Sequence, residues 1–218
     1  MSRFILHHLL NNTFLLNADR TIYWQEEKTL ILSDLHFGKS GHFRKSGIGI
    51  PQNIFKEDMQ RLFAAVQFFN PLQIIIVGDF FHSDINKEAN FFLKWRNDFE
   101  HLTIHLIRGN HDVLQKQWYQ QASLILHQDI FIQNNFCFVH DINDITEKDD
   151  RYCFCGHLHP GISIRGKAKQ TIHLPCFYFT KKYAVLPAFG NFTGSVSIRP
   201  LKGEQVYAIA ENNVIKIQ

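Results

Sequence analysis

The chain contains one run that restricts its fold more than any other, IIIV at 74–77, which is apolar at every position. A run of this kind is typical of a strand that is buried on both faces of a sheet. Further apolar, β-branched runs that end in glycine or a polar residue occupy positions 29–34, 102–110, 136–140 and 152–157. We therefore expect a sheet whose central strands are covered on both sides.

Segments with helical spacing separate the first three runs. Asn53 is the predicted N-cap of the first helix. Behind it, apolar residues recur at steps of four and three, at Phe55, Met59, Leu62, Val66 and Phe69. A second segment presents one apolar face made of Phe92, Trp95 and Phe99. The alternation of strands and helices is the pattern of right-handed βαβ units with a parallel sheet.

The second half of the chain has a different pattern, in which strand candidates follow one another across short turns. They lie at 123–126, 129–132, 135–139, 151–155, 161–165, 171–179, 183–186, 195–198 and 205–217. This succession predicts a mixed or antiparallel sheet. Two sheets packed face to face, with helices outside, would bury both halves in one core. Because 218 residues are few for two domains, we expect a single domain over 1–218.

Composition narrows the class of protein. The net charge of +3 and the pI near 8.6 fall short of the pI above ~9 that is usual for a dedicated nucleic-acid binder. No window reaches the ~18 uninterrupted apolar residues of a membrane-spanning helix, and the first residues lack the pattern of a signal peptide. We expect a soluble, cytoplasmic protein with no membrane partner. The four cysteines show no CxxC spacing and are expected to be reduced, structural thiols.

Side chains with metal-binding atoms follow each of the five apolar runs. They are Asp34, His36, Asp79, His82, Asn110, His111, Asp112, His140, Asp141, His157 and His159. In an open α/β sheet the carboxyl ends of the strands meet at one crevice, so these groups are expected to converge. In DLH and HLH the polar residues are two apart, and in an extended chain they would point the same way while the leucine points into the core.

The donor atoms in this set are carboxylate oxygens, imidazole nitrogens and an amide oxygen. They suit divalent ions such as Mn²⁺, Fe²⁺ or Zn²⁺ and differ from a thiolate-rich structural zinc site. About seven ligands are more than one ion needs, and two ions that share a bridging carboxylate would use them all. Paired ions ~3.5–4 Å apart are a known device for in-line displacement at phosphorus. We expect two divalent ions, with Mn²⁺ first and Fe²⁺ or Zn²⁺ as alternatives.

The motifs SDLH, GDFFH, GNHD, FVH and GHLH, in this order, resemble the five motifs of the calcineurin-like metallophosphoesterases. They cover residues 34–159. The stretches DLHFGKSGHFRKSGIGIP and LPCFYFTKKYAVLPAFGNFTG resemble the PdeM-like branch, the phosphoesterases associated with bacterial DNA-repair ligase and helicase genes. The resemblance implies an α/β fold, a four-layer α/β/β/α sandwich of two mixed sheets. This agrees with the strand count.

The resemblance also implies roles for individual residues. The ligands of the first metal would be Asp34, His36 and His159. Those of the second would be Asn110, His140 and His157, with Asp79 bridging the two ions. His111 matches the catalytic histidine of the family, which stabilises or protonates the leaving oxygen, and Asp112 would orient it.

Basic residues near the motifs have two interpretations. Lys39 and Arg44 lie in a loop that leaves the crevice, and we expect them to bind phosphate. Lys45 is expected on a solvated face, and His82 is expected to touch the substrate or a water molecule at the mouth of the site. Residues in the turns of the second half are either hairpin charges that protect strand edges or a nucleic-acid track: Arg165, Lys167, Lys169, Lys181 and Lys182.

Three functions are compatible with this pattern. The first is a metal-dependent phosphodiesterase or endonuclease that cleaves DNA in repair through a metal-activated water, with repair ligase or helicase proteins as partners. The DNA substrate and these partners are implied by the resemblance alone. The second is a phosphodiesterase or phosphatase that acts on nucleotides or other small molecules. The third is a scaffold of the same fold without catalysis, which would be expected to have lost metal ligands.

Overall fold

The protein contains two β-sheets. The first has seven strands, and the two predicted helices pack against it. The structure is a computed structural model that describes residues 2–39, 53–82, 87–145, 150–166 and 170–218. The strands of this sheet are β1 (Phe4–Leu9), β2 (Asn12–Asn17), β3 (Thr21–Trp24), β4 (Thr29–Leu32), β5 (Gln73–Val77), β6 (Thr103–Ile107) and β7 (Leu124–His127). They pair in chain order. The pairs from β1 to β4 are antiparallel, and those from β4 to β7 are parallel.

The three N-terminal strands were not predicted from the sequence. The turn between β1 and β2 is made by Leu10 and Asn11, both with positive φ, which is the geometry of a tight hairpin. Inside β1, His7 is buried against the ring of Phe179 and lies 3.0 Å from the hydroxyl of Tyr207. A histidine in a core position hides the alternation of apolar and polar residues that would otherwise identify the strand.

The second sheet has nine strands and is mixed, as predicted. Its strands are β8 (Ile130–Gln133), β9 (Phe136–Val139), β10 (Tyr152–Cys155), β11 (Pro160–Arg165), β12 (Thr171–Phe179), β13 (Tyr183–Val185), β14 (Val196–Ser197), β15 (Gln205–Ala210) and β16 (Asn213–Lys216). The spatial order is β14-β11-β12-β13-β10-β9-β8, with β15 on β12 and β16 on β15. The strand β10 runs parallel to both of its neighbours. The predicted strand 205–217 is therefore two strands joined by a turn.

Within the described residues, three α-helices contribute side chains to the hydrophobic core on one face of the first sheet. They are α1 (Ile54–Phe69), α2 (Lys87–Asp98) and α3 (Lys116–Gln121), and α3 was not predicted. Asn53 precedes α1 as expected, but its side chain makes no capping hydrogen bond. The predicted apolar face of α1 is confirmed, because Leu62 and Val66 are buried and the other members pack against the same core.

Two hydrophobic cores share the first sheet. One core lies between this sheet and the helices and contains Ile76, Phe92 and Trp118. The other core fills the space between the sheets and contains Ile75 and Phe138. Alternate residues of β5 therefore serve opposite cores, which is why its run is apolar throughout. Each fully buried side chain of this size contributes about 1.5–3 kcal/mol relative to exposure.

The predicted fold class is confirmed: two mixed sheets pack face to face, with α-helices outside. On the outer face of the second sheet, the helical structure within the described residues is one 3₁₀ helix, Ile142–Asp144. No helix within the described ranges combines the length and the apolar character that crossing a membrane requires.

The prediction that all four cysteines are free thiols is wrong for two of them. Cys137 and Cys153 form a disulfide. They are directly opposed on the neighbouring strands β9 and β10, where their Cα atoms lie 4.5 Å apart. Cys155 and Cys176 are free and buried, as expected. Sequence spacing did not reveal the pair because its geometry depends on strand register.

Candidate metal centre

Five of the predicted ligands adopt a left-handed backbone conformation at the ends of their strands. They are Asp34, His36, Asp79, His157 and His159, with φ between 46° and 65°. This conformation costs roughly 1–2 kcal/mol for a residue other than glycine, and such outliers concentrate at functional sites. Backbone hydrogen bonds hold the strained segments together, from Asp34 N to Gly78 O at 3.1 Å and from His36 N to Asp79 O at 2.9 Å.

The first cluster consists of Asp34, His36 and His159, whose ligand atoms all lie within 4.8 Å of one another. The Nε2 atom of His159 is 3.1 Å from Oδ1 of Asp34 and 3.4 Å from Nε2 of His36. The Nδ1 atom of His159 lies 3.1 Å from the carbonyl of Gly194 and must donate its proton there. This contact leaves the lone pair of Nε2 facing the cluster, as a metal ligand requires.

The second cluster consists of Asp79, His140 and His157, again with ligand atoms within 4.8 Å of one another. The Nε2 atom of His140 is 3.4 Å from Oδ1 of Asp79 and 3.2 Å from Nδ1 of His157. On its other side, Nδ1 of His140 donates to the carbonyl of Val77 at 3.3 Å. The tautomer of His140 is therefore fixed in the same way as that of His159, by a backbone carbonyl.

The carboxylate of Asp79 lies between the two clusters. Its Oδ1 atom faces His140 of the second cluster, and its Oδ2 atom is 3.9 Å from Nε2 of His36 in the first. One oxygen towards each cluster is the arrangement expected of a bridging carboxylate. Oxygen and imidazole donors in this number fit two divalent ions such as Mn²⁺, Fe²⁺ or Zn²⁺.

Burial and charge set the protonation states at the centre. Burial alone would raise the pKa of Asp79, but the hydrogen bond and the charge of His140 lower it far below its ordinary value. Burial lowers the pKa of His36 to about 3, although Asp34 and Asp79 act in the opposite direction. Burial also lowers the pKa of His140, yet its hydrogen bond to Asp79 and the charges of Asp34 and Asp79 together outweigh that effect and raise the pKa to about 9. A cation at the second cluster would therefore displace a proton from His140.

The loop after β6 carries three further predicted residues. The backbone N–H of His111 donates to Oδ1 of Asp79 at 2.9 Å, and its Nε2 atom is 3.9 Å from Oδ2 of the same carboxylate. The side chain of His111 is 47% exposed, so it can reach a bound substrate. Asn110 is exposed and lies between Gly109 and His111. A side chain at Gly109 would overlap with Asp79.

Asp112, which is predicted to orient His111, makes hydrogen bonds with backbone groups. Its carboxylate is fully buried and accepts the backbone N–H groups of Phe81 at 3.0 Å and Gly109 at 2.9 Å. Burial raises the pKa of Asp112 to about 7, against these two hydrogen bonds. Asp112 therefore joins the loop that follows β5 to the loop that follows β6, and the second of these loops carries His111.

The predicted substrate-binding residues are placed only in part. Lys39 lies directly beyond His36, and burial lowers its pKa while the charges of Asp79 and Asp34 raise it. The ring of His82 is 4.2 Å from that of His111 and 5.5 Å from that of His36, at the mouth of the centre. Arg44 and Lys45 lie outside the described residues.

The basic residues of the second half that the structure describes lie away from the centre. Lys181 and Lys182 form the turn before β13, beside the start of β10, whereas His157 follows the end of β10. Arg165 ends β11, and His159 precedes its first residue. Five residues of this strand thus separate Arg165 from His159 of the first cluster. Lys167 and Lys169 lie outside the described residues.

A loop that the sequence did not link to the site by chemistry, residues 188–194, supports the first cluster. The backbone N–H groups of Phe189 and Gly190 donate to the carbonyls of Ser33 at 2.8 Å and Asp34 at 3.1 Å. A side chain at Gly190 would overlap with the carbonyl of Leu35, so this close approach requires glycine. The same loop supplies the Gly194 carbonyl that orients His159.

Three charged side chains hold the 188–194 loop in place. Arg20 donates through Nη1 to the carbonyls of Ala188 and Gly190, both at 3.1 Å. Arg61 donates to the carbonyl of Phe189 and pairs with Asp58 at 2.8 Å. We call Arg20, Asp58 and Arg61 the charged network. The sequence shows only that Asp58 and Arg61 are three apart on α1, which is a common spacing on solvated helix faces.

Known proteins share both the sequence pattern and the fold. The family model of the calcineurin-like phosphoesterases matches residues 27–177. The crystal structure of the Pseudomonas putida nuclease MPE superposes with a TM-score of 0.81 at 25% identity, over 98% of this chain and 100% of that one. The E. coli phosphoesterase Yfce superposes with a TM-score of 0.41 at 14% identity, over 84% and 88% of the two chains. A search of the curated proteins found no match.

Proposed function

Because the chain belongs to the calcineurin-like phosphoesterase family, we propose that it is a nuclease, which hydrolyses phosphodiester bonds in DNA with two divalent cations. One observation carries this proposal: the two oxygens of Asp79 face two separate clusters of metal-binding side chains. A pair of adjacent cation sites is suited to displacement at phosphorus. The similarity to the P. putida nuclease supports a nucleic acid as the substrate.

The proposed ligands are divided between the two clusters. The first cation would be held by Asp34, His36 and His159, the second by His140 and His157, and Asp79 would bridge them. The sequence resemblance adds Asn110 to the ligands of the second cation. The bound cations would lower the pKa of a water molecule and offset charge that develops on the phosphate. The carbonyls of Gly194 and Val77 accept the Nδ1 protons of His159 and His140, which aims the Nε2 atoms of both rings at the centre.

The remaining proposed residues act on the substrate. His111 is exposed beside Asp79 and would donate a proton from its ring to the leaving oxygen. Lys39, which lies beyond His36, and His82, whose ring is 4.2 Å from that of His111, would contact the phosphate oxygens. Arg44 is proposed for the same task on the basis of the sequence alone. Asp112 would keep His111 at a fixed distance from Asp79 through the loop backbone.

We also propose that the cleavage serves DNA repair, with repair ligase or helicase proteins as partners and Mn²⁺ as the preferred ion. Only the sequence resemblance supports this setting. Co-purification of a tagged chain with these proteins from its source cells would test it. Recovery of neither class of protein under low-salt conditions would count against the partnership.

A substrate panel tests the activity itself. The protein is stripped with a chelator and then assayed with added Mn²⁺, Fe²⁺, Zn²⁺ or Mg²⁺. Substrates are bis-p-nitrophenyl phosphate, p-nitrophenyl phosphate, 2′,3′-cyclic nucleotides, and single- and double-stranded DNA. We expect metal-dependent cleavage of bis-p-nitrophenyl phosphate and DNA. Turnover of the monoester alone would exclude a diesterase, and diester turnover without DNA cleavage would indicate a small-molecule enzyme.

A matched variant distinguishes this activity from a contaminating nuclease. Asp79→Asn keeps the size of the side chain but cannot bridge two cations, so DNA cleavage should fall with it. Metal analysis and activity assays of the wild-type protein test the third function. Wild-type protein that binds no divalent ion and is not stimulated by Mn²⁺ would be a scaffold without catalysis.

A further inference from the structure

A small cavity lies on the rim of the candidate metal centre, next to the first cluster. It measures about 70 Å³ and is lined by Arg20, His159, Thr193, Gly194 and Ser195, with Pro160 and Pro175 on its apolar side. Because His159 also belongs to the first cluster, a single imidazole ring separates the cavity from that cluster. A water molecule has a share of liquid volume of about 30 Å³. The cavity can therefore hold two waters or the two free oxygens of one phosphate.

The position of Arg20 follows from the strand order. The strand β3 runs antiparallel to β4, and Ile22 pairs with Ile31, so the turn before β3 lies at the end of β4 that carries Asp34. Arg20 occupies this turn with φ of 61°. The first sheet therefore delivers a guanidinium group to the rim of the centre from a strand that supplies none of the proposed ligands.

The guanidinium of Arg20 is anchored at one nitrogen and available at the others. Its Nη1 atom donates to the carbonyls of Ala188 and Gly190, while Nε and Nη2 make no hydrogen bond to any residue in the described ranges. Within those ranges no carboxylate lies within 4.0 Å of the guanidinium of Arg20. The nearby carboxylate of Asp58, whose charge affects Arg20, is paired with Arg61. Burial, followed by the charge of Arg61, lowers the pKa of Arg20 to about 10, so the group stays cationic at neutral pH.

The charge balance around the cavity identifies the kind of ligand. Asp58 pairs with Arg61 and Asp19 pairs with Arg3, which leaves the half-buried cation of Arg20 without an ion-pair partner among the described residues. Such a group gains most from an anion with several acceptor oxygens, and a guanidinium fork matches a phosphate best. The hydroxyl of Ser195, which is 2.7 Å from Nε2 of His173, lines the same cavity and has one further hydrogen-bonding position for a ligand oxygen.

We propose that this cavity is a subsite for a phosphate of the DNA strand next to the one that is cleaved, with Arg20 as its binding residue. The inference rests on the proposed nuclease function and extends it, since it predicts that substrates with a neighbouring phosphate are preferred. Sharing His159 between the first cluster and the cavity makes the two phosphate positions adjacent.

The test compares a substrate with one phosphate to a substrate with several. Wild-type protein, Arg20→Gln and Arg20→Lys are assayed on bis-p-nitrophenyl phosphate and on a single-stranded oligonucleotide. In Arg20→Gln we expect kcat/KM on the oligonucleotide to fall about tenfold further than kcat/KM on bis-p-nitrophenyl phosphate. Arg20→Lys should recover part of this difference, because it restores a point charge but not the planar fork.

A binding measurement separates a phosphate contact from support of the 188–194 loop. The affinity for the oligonucleotide is measured against salt concentration, and Arg20→Gln should reduce the slope of log K against log salt by about 0.7. The matched control is Arg165→Gln, an exposed arginine at the far end of β11, which should leave both substrates and the slope unchanged.

Each remaining outcome contradicts the subsite. Equal losses on both substrates with an unchanged salt slope would mean that Arg20 only supports the loop. No loss on either substrate would show that the cavity does not bind the strand. If the wild-type protein hydrolyses bis-p-nitrophenyl phosphate but neither binds nor cleaves DNA, the nuclease proposal fails and the subsite fails with it.

Discussion

The two clusters of the candidate metal centre are supported by different kinds of structure. In the second cluster, His140 is oriented by the carbonyl of Val77, which belongs to the central strand β5. In the first cluster, His159 is oriented by the carbonyl of Gly194, which belongs to a loop between β13 and β14. That loop depends on the charged network for its position. One cluster therefore relies on strand backbone, and the other relies on side chains that substitution can remove.

This difference teaches where the centre is vulnerable. Strand backbone at the middle of a sandwich is fixed by both cores, so side-chain substitutions far from the second cluster should hardly affect it. The charged network joins the β2–β3 turn and α1 to the 188–194 loop, so a change on the surface of α1 can reach the first cluster. Substitutions should thus separate the two clusters, except at Asp79, which contacts both.

The largest effect is expected from Asp79→Asn, which breaks both clusters at once. We expect kcat/KM on bis-p-nitrophenyl phosphate to fall by about 10³-fold, because several kcal/mol of transition-state stabilisation depend on the paired cations. Metal analysis should show fewer than two bound ions. His140→Ala should have a similar effect on turnover, with loss confined to the second cluster.

Thermal unfolding provides the control for Asp79→Asn. The variant should remain folded, because the left-handed conformation at Asp79 is fixed by backbone hydrogen bonds from neighbouring loops. A folded Asp79→Asn protein with undiminished, metal-dependent hydrolysis would falsify the two-cation arrangement.

Gly78→Ala should damage the second cluster selectively. Gly78 has φ of 77°, and a Cβ atom there would overlap with the ring of His140. We expect activity to fall on the order of 100-fold, since displaced ligands and their immediate supports cost 10–100-fold in metal affinity. Titration with Mn²⁺, monitored by electron paramagnetic resonance, should show that the variant binds one Mn²⁺ ion where the wild-type protein binds two.

Gly203→Ala is the matched control for Gly78→Ala. Gly203 has φ of 91°, and nothing lies within 4 Å of the position of its Cβ atom. This variant carries the backbone strain, about 1 kcal/mol, without the overlap. If both variants lost activity equally, strain rather than contact with His140 would be the cause.

Arg61→Met should weaken the first cluster and leave the second intact. It removes the donor to the carbonyl of Phe189 and leaves the buried carboxylate of Asp58 without its partner. We expect a loss of about 3 kcal/mol in the free energy of unfolding. We also expect about tenfold weaker binding of one Mn²⁺ ion, measured by calorimetry. Weakening of both ions to the same extent would contradict the separation of the clusters.

The control for Arg61→Met is Lys56→Met, an exposed charge on the same helix for which the described residues show no hydrogen bond or ion pair with the 188–194 loop. A second variant, Arg61→Met with Asp58→Asn, removes the unpaired carboxylate. Stability should recover in part, whereas the affinity of the first cluster should not, because the contact with Phe189 is still absent.

The sequence predicts that the ligand side chains meet at one site, but it does not predict the backbone conformation that brings them together. Parallel strands bring their carboxyl ends together, and this placed Asp34, Asp79 and His140 correctly near one another. The spacing in DLH was interpreted as extended chain, yet Asp34 and His36 are left-handed. Leu35 does point into the core, as expected. Sequence spacing gives the outcome of such a turn without its conformation, which depends on hydrogen bonds from other loops.

The support of the first cluster could not be predicted in the same way. Arg20 and Arg61 meet residues of the 188–194 loop that lie more than 100 positions away in the sequence. Neither arginine follows a strand run or lies in a motif, so nothing local distinguishes it from a solvated charge. The missed strands β1–β3 have a related cause, since β1 pairs buried polar groups such as His7 with partners near the end of the chain.

The smallest expected effect lies outside both clusters, in a histidine pair that tests whether acid inactivates the centre or the fold. His105 and His127 meet at 2.9 Å between β6 and β7 and stack on Phe131. Burial and the neighbouring histidine lower the pKa of His105 to about 4, and burial lowers the pKa of His127. The folded state therefore binds fewer protons than the unfolded state below pH 6.5. Its stability should fall as the pH drops from 6.5 towards 4, by on the order of 2 kcal/mol after allowance for partial exposure.

Denaturant unfolding at a series of pH values measures this effect without any reference to activity. His105→Gln should flatten the pH dependence, because the remaining His127 no longer has a second imidazole beside it, whereas His101→Gln, an exposed control, should not. If wild-type stability is unchanged down to pH 4.5 while hydrolysis is lost, the acid sensitivity belongs to the clusters. If stability and hydrolysis fall together with pH, the acid sensitivity comes from unfolding that starts at the His105–His127 pair, and the loss of activity is a consequence of unfolding.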